Sequence, residues 1–96
     1  MKIYVDIDNT ICKTSGMDYE NAKPIKKNID KINNLYNQGN EIIYWTARGS
    51  VSKKDYYDIT YSQLKDWGCM FHSLSVGEKP AYDLLICDKT KRIEEI

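Results

Sequence analysis

Two carboxylates one residue apart, Asp6-Ile7-Asp8, directly follow the short apolar run that starts the chain. If the backbone turns tightly there, both can face one cavity, and two like charges in one cavity call for a cation. A hard divalent ion meets that need. Mg²⁺ is the natural candidate, because it takes one or two carboxylates and completes its octahedron with water and substrate phosphate. Beside such an ion one aspartate can attack phosphorus to give an aspartyl-phosphate, while the other protonates the leaving oxygen and then activates water. Asp6 and Asp8 fit those two roles; the bland alternative is a pair of strand-end residues that merely cap a turn.

The elements that must position them are legible as periodicity. Lys2 to Asp6 (KIYVD) reads as a buried strand that ends abruptly in acidic residues. A polar stretch follows, and the loop from Ile11 to Ala22 is the one segment free to carry extra substrate contacts. Pro24 stands where a helix can begin, and Ile25, Ile29, Ile32 and Leu35 then form one apolar stripe that Gly39 is placed to terminate. Glu41 to Trp45 (EIIYW) is a second strand ending in small and polar residues, Thr46, Ala47 and Arg48. Ser52 is the expected N-cap of a second helix, with Tyr56, Thr60, Leu64 and Trp67 at helical spacing before Gly68. Leu74 to Val76 and Asp83 to Cys87 are two further strands, the last followed by Asp88, and a charged tail runs from Lys89 to Ile96. Strands alternating with helices through tight connections imply right-handed crossovers, hence an α/β, Rossmann-like parallel sheet with helices on its faces. In such sheets ligands bind beyond the carboxyl ends of the strands, where these Asp and Thr residues lie.

In that order the residues resemble the haloacid dehalogenase (HAD) superfamily of phosphatases. Asp6-Ile7-Asp8-Asn9-Thr10 is similar to its DxDxT motif, Thr46 in Trp45-Thr46-Ala47-Arg48 to the second-motif hydroxyl, Lys79 before Pro80 to the third-motif lysine, and Asp88 to the fourth-motif acid. The resemblance implies a three-layer HAD-like core with Asp6 as nucleophile and Asp8 as general acid/base. It implies Mg²⁺ held by Asp6, Asp8 (through its backbone carbonyl) and Asp88. Thr46, Ala47 and Lys79, with N–H groups around Asn9, would hold the transferring phosphoryl group, as donors aimed at its equatorial oxygens must. Arg48 would either contact substrate or form a surface salt bridge. The connections are too short for a cap domain, so the resemblance is to capless members that act on exposed phosphates or borrow a lid from another subunit, as in a homo-oligomer. Tyr19, Ala22 and Pro24, the TAR sequence and the Lys79-to-Lys89 stretch look most like small phosphatases of capsule and polysaccharide biosynthesis, whose substrate would be a sugar phosphate.

One departure sets up the rival readings. Close relatives often carry two adjacent acids where this chain has Cys87-Asp88, and a thiol is a poor ligand for a hard cation. A catalytically weak phosphate- or protein-binding module is therefore the alternative outside the enzyme class. Within that class the rivals are a 5′-nucleotidase and a polynucleotide 3′-phosphatase. A response-regulator receiver would need its phosphorylated Asp on a middle strand, where this chain offers Thr46.

Composition bounds the rest. Ninety-six residues allow one domain, 1–96, and 42% hydrophobic with 29% charged residues is an ordinary globular balance. Fourteen basic and fourteen acidic side chains cancel, so no global field draws nucleic acid or anionic lipid, and a small phosphomonoester is the expected partner. Three cysteines without metal spacing, early carboxylates and no apolar run near about 18 residues lead us to expect a cytoplasmic protein with no membrane partner. His72 reads as structural or exposed, Tyr56, Tyr57 and Tyr61 as core, and the Lys26–Lys27 and Lys53–Lys54 pairs as solvated helix faces.

Overall fold

The computed structural model describes residues 1–49 and 55–77, together with the strand Leu84–Ile86. The Ser52 cap, Lys53, Lys54, Lys79, Cys87, Asp88 and the charged tail lie outside the described residues.

β1 (Lys2–Asp6) is the strand its alternation predicts: Ile3 and Val5 are buried on one face and Tyr4 on the other. The chain then forms a short antiparallel ribbon, β2 (Cys12–Lys13) with β3 (Lys23–Pro24), whose connection includes a 3-10 turn at Tyr19–Asn21. The expected loop is thus closed at its base by a ladder. α1 (Lys26–Asn37) begins two residues after Pro24, because Pro24 belongs to β3. Its stripe buries Ile29 and Ile32, and Gly39, at φ 96°, turns the chain in the left-handed region that favours glycine.

β4 (Glu41–Thr46) pairs in parallel with β1, Ile3 beside Ile42 and Val5 beside Tyr44, so their buried faces coincide. α2 (Tyr57–Asp66) starts after Tyr56, where the Asp55 side chain accepts the Tyr57 N–H at 2.9 Å. β5 (Ser73–Val76) and β6 (Leu84–Ile86) complete a four-stranded parallel sheet in the order β5-β4-β1-β6. β1 and β4 are its two central strands.

The domain is α/β, with a parallel sheet whose described helices cover one of its faces. Both described helices lie on one face: Ile29 and Ile32 of α1 and Leu64 of α2 pack with Ile3, Val5, Ile42 and Tyr44. On the opposite face Tyr4 and Ile43 form a second buried cluster with Trp45 against it. The steps from β1 to β4 and from β4 to β5 move in the same direction along the sheet, and right-handed crossovers then place both helices on the same side.

Two smaller readings resolve differently. His72 is exposed and structural, as expected: its Nδ1 accepts the Ile42 N–H at 3.0 Å, its own N–H donates to the Ile42 carbonyl at 2.8 Å, and its ring stacks on Tyr36. Tyr57 and Tyr61, expected in the core, are instead exposed and stacked on each other at 6.2 Å. With Thr60 and Leu64 turned inward, the i,i+4 tyrosine pair falls on a neighbouring face of α2. Among the described residues no helix is long and apolar enough to cross a membrane.

Candidate functional site

The backbone turns tightly directly after β1, as a shared cavity for Asp6 and Asp8 requires. The N–H groups of Thr10 and Ile11 both donate to the Ile7 carbonyl, at 3.2 and 3.1 Å, and Asn9 takes the left-handed conformation at φ 63°. Asn tolerates that region better than most residues. Asn28 of α1 anchors the turn from below, its Nδ2 donating to the Thr10 carbonyl at 2.9 Å. Asp6 itself is half-buried and its Oδ1 accepts the Ile7 N–H at 2.9 Å.

Asp8 is the centre of the cluster. Arg48 grips its carboxylate with two nitrogens, Nη2 to Oδ1 at 2.7 Å and Nε to Oδ2 at 3.0 Å. Thr14 Oγ1 donates to Oδ1 at 2.7 Å, and Thr46 Oγ1, at the carboxyl end of β4, donates to Oδ2 at 3.2 Å. The Cys12 thiol lies behind, 3.8 Å from Oδ1; burial pushes that thiol up, so it stays a neutral weak donor. Burial by itself pushes the Asp8 carboxyl up as well. The hydrogen bonds from Arg48 and Thr14, the Arg48 charge and the Thr46 hydroxyl outweigh it and hold the group below the ordinary carboxylate range.

Arg48 is not the surface residue that one of the two expectations made it. It is 1% exposed, and a charge so buried needs every donor matched. Nη1 donates to Thr60 Oγ1 at 3.1 Å and to Gln63 Oε1 at 2.6 Å, and the guanidinium carbon lies 4.7 Å from the centre of the Tyr19 ring. Gln63 in turn donates to the Tyr19 carbonyl at 2.6 Å, and Tyr56 packs edge-on to Tyr19. With its side chain fully buried, Arg48 presents no surface to a substrate in this arrangement.

Of the residues expected at the site, Asp8, Thr46 and Arg48 come together, Asp6 stands at the end of β1 in register with Trp45 of β4, and Ala47 is exposed at the end of β4. Asn9 is present but differently engaged: its N–H donates to the Cys12 carbonyl at 2.8 Å and so does not face the cavity as a phosphate donor. The Thr46 hydroxyl gives its hydrogen to Asp8 and accepts the Arg48 N–H at 3.2 Å, so a phosphoryl oxygen would compete for it. Lys79 and Asp88 lie outside the described residues. Thr14, Thr60 and Gln63 were not anticipated at the site. The signal for the last two was present, since a polar Thr60 and Gln63 flanking Leu64 on the inner side of α2 need a polar partner.

Carboxylate and carbonyl oxygens at the end of β1 are the ligand type a hard cation takes. Among the described residues no three His, Cys, Asp or Glu side chains gather as a metal site, so a third ligand would come from beyond them. Both Asp8 carboxylate oxygens already accept from Arg48, Thr14 or Thr46, which leaves its backbone carbonyl as the ligand that the resemblance implies.

No protein-family model matches the chain, and no curated protein matches it. Among solved structures, a crystal structure of a target protein from Vibrio cholerae is similar, with a TM-score of 0.73 over 81% of this chain and 70% of that one, at 23% identity. That likeness is one of fold.

Proposed function

We propose that the protein is a Mg²⁺-dependent phosphomonoester hydrolase with a capless, three-layer HAD-like core, working through an aspartyl-phosphate on Asp6, with a sugar phosphate or similar ester as substrate. One observation carries the reading. At the carboxyl ends of the two central parallel strands, Asp6 is followed by an Asp8 whose carboxylate is fixed by the Thr46 hydroxyl and the Arg48 guanidinium. That is where an open α/β sheet binds its ligand.

Mg²⁺, when bound, would neutralise charge on the phosphoryl group and on Asp6, and Asp6, Asp8 and Asp88 are the residues that would hold it. An Asp6 carboxylate oxygen attacks phosphorus, and the bond from phosphorus to the leaving oxygen breaks. Asp8 supplies the proton that the leaving oxygen takes. Held ionised in the free protein, Asp8 gains that proton when a dianionic phosphate arrives beside it, because a like charge raises its affinity for protons. The Asp8 carboxylate then accepts a proton from water, the water oxygen attacks phosphorus, and the bond to Asp6 breaks to release phosphate. Thr46 and Lys79 orient the phosphoryl oxygens.

The test is phosphate release from sugar phosphates, nucleotides and an aryl phosphate, with and without Mg²⁺, with Asp6→Asn as the blank. Mg²⁺-dependent turnover that falls to background in the variant is expected; equal release by both proteins refutes the mechanism. A second reading, a phosphate- or protein-binding module, draws on the same Asp8–Arg48 pair, since a carboxylate held ionised by Arg48, Thr14 and Thr46 carries no proton to give a leaving oxygen. It predicts Mg²⁺-independent phosphate binding and no turnover.

A further inference from the structure

Lys13 and Lys23 stand directly opposite each other across the β2–β3 ribbon. Side chains so placed share one face with their Cβ atoms about 5 Å apart, and like charges there destabilise the ladder. Among the described residues neither ammonium takes part in an ion pair; the two described salt bridges are Lys26 with Asp30 and Arg48 with Asp8. The two lysines line an open cleft of about 390 Å³ together with Thr14, Ser15, Asp18 and Asn21. Its volume is that of a site for a small ligand. Thr14 belongs to both places: it lines the cleft, and its hydroxyl donates to Asp8.

We propose that this cleft is a leaving-group subsite for a polyhydroxylated body carrying one carboxylate. The proposal rests on the phosphatase reading for its position next to the scissile bond, but not for its chemistry. Two lysines against Asp18 leave the lining with a net charge of plus one, which a single negative charge balances and a second dianionic phosphate would overrun. The anion relieves the repulsion between the two ammonium groups. Ser15 and Asn21 offer hydroxyl and amide partners to a polyol, and Asp18, fixed by the Asn21 amide at 2.9 and 3.1 Å, accepts hydrogen bonds from its hydroxyls. The ribbon that closes the base of the loop thus holds the two lysines in register beside the reacting group.

A matched pair of probes tests this: gluconate 6-phosphate and sorbitol 6-phosphate share a six-carbon polyol phosphate and differ by the terminal carboxylate. For the unaltered protein kcat/KM should favour the carboxylate by about tenfold or more, the scale of one charge-assisted hydrogen bond, and the Lys13→Gln/Lys23→Gln protein should lose that preference. Calorimetric binding of gluconate against sorbitol, which needs no catalysis, should show the same discrimination and the same loss. If neither phosphate ester is hydrolysed while gluconate still binds through the lysines, the phosphatase reading fails and the subsite stands. If gluconate and sorbitol bind alike, or the double variant keeps the preference, the lysines are a solvated edge and the proposal is overturned. The folding of the double variant is checked by its melting curve, which should lie at or above that of the parent because the cross-strand repulsion is gone.

Discussion

Removing the guanidinium from beneath Asp8 perturbs the site most informatively. Arg48→Met keeps much of the side-chain volume but leaves the Asp8 carboxylate with Thr14, Thr46 and the weak Cys12 thiol, and leaves Thr60 and Gln63 facing an apolar group. Breaking one side of a buried pair costs about 3–5 kcal/mol; because the Asp8 side chain is 20% exposed and partly solvated, the lower end, about 3 kcal/mol, is expected. For a domain near 100 residues that lowers the melting temperature by roughly 12–24 °C, and it removes a large part of a total stability of about 5–15 kcal/mol. Asp8→Asn should rescue part of the loss, since it removes the charge that Arg48→Met strands. A double-mutant cycle followed by urea unfolding at pH 7 should therefore give a coupling of about 2 kcal/mol. The pH dependence supplies a second check. The folded-state pKa of Asp8 is depressed, so its contribution is complete above the unfolded value near ~3.9 and is lost as pH falls through the lower folded value. In Arg48→Met that acid-side loss should flatten, because burial, which raises the pKa, is then less opposed. Additivity of the two substitutions within about 0.5 kcal/mol, with an unchanged acid limb, would refute the reasoning.

Two further outcomes follow from single contacts. Thr46→Val deletes the hydroxyl that donates to Asp8 and leaves the buried Arg48 N–H without its acceptor, so stability should drop by about 1–3 kcal/mol in urea titration, and an unchanged midpoint counts against the hydrogen bond. His72→Phe retains a ring to stack on Tyr36 but removes the acceptor of the Ile42 N–H; a loss of about 1 kcal/mol with faster hydrogen exchange at the Ile42 amide is expected, and equal protection in both proteins would contradict it.

The parts of the fold legible beforehand are those governed by short-range periodicity. β1 runs from Lys2 to Asp6 as its alternation implies, and the α1 stripe buries Ile29 and Ile32. Asp6, Asp8 and Thr46 could be placed because each sits at the end of a strand that its own pattern defines. What escaped depends on distant partners. Arg48 follows an exposed Ala47 and precedes a glycine, and nothing local says it is buried; that is decided by Thr60, Gln63 and Tyr19. The β2–β3 ribbon has two residues per strand, too few for any period to register. Among the N–H groups around Asn9, that of Asn9 itself goes to the Cys12 carbonyl, through a turn that has no signature in the residues alone. That both described helices share one face follows from the strand order, which periodicity does not contain.

Arg48 also has a kinetic consequence. Its bonds to Asp8 join residues 40 positions apart, and the Gln63 bond to Tyr19 joins residues 44 apart, so the cluster closes two long loops at once. Closing such loops is entropically costly and comes after local helix formation in most chains. The Asp6–Asp8 segment by itself is therefore an ordinary acidic stretch, and a chain still being synthesised has no organised carboxylate centre until α2 has emerged and docked. Competence should appear in one step with the last tertiary contacts rather than grow in proportion to secondary structure.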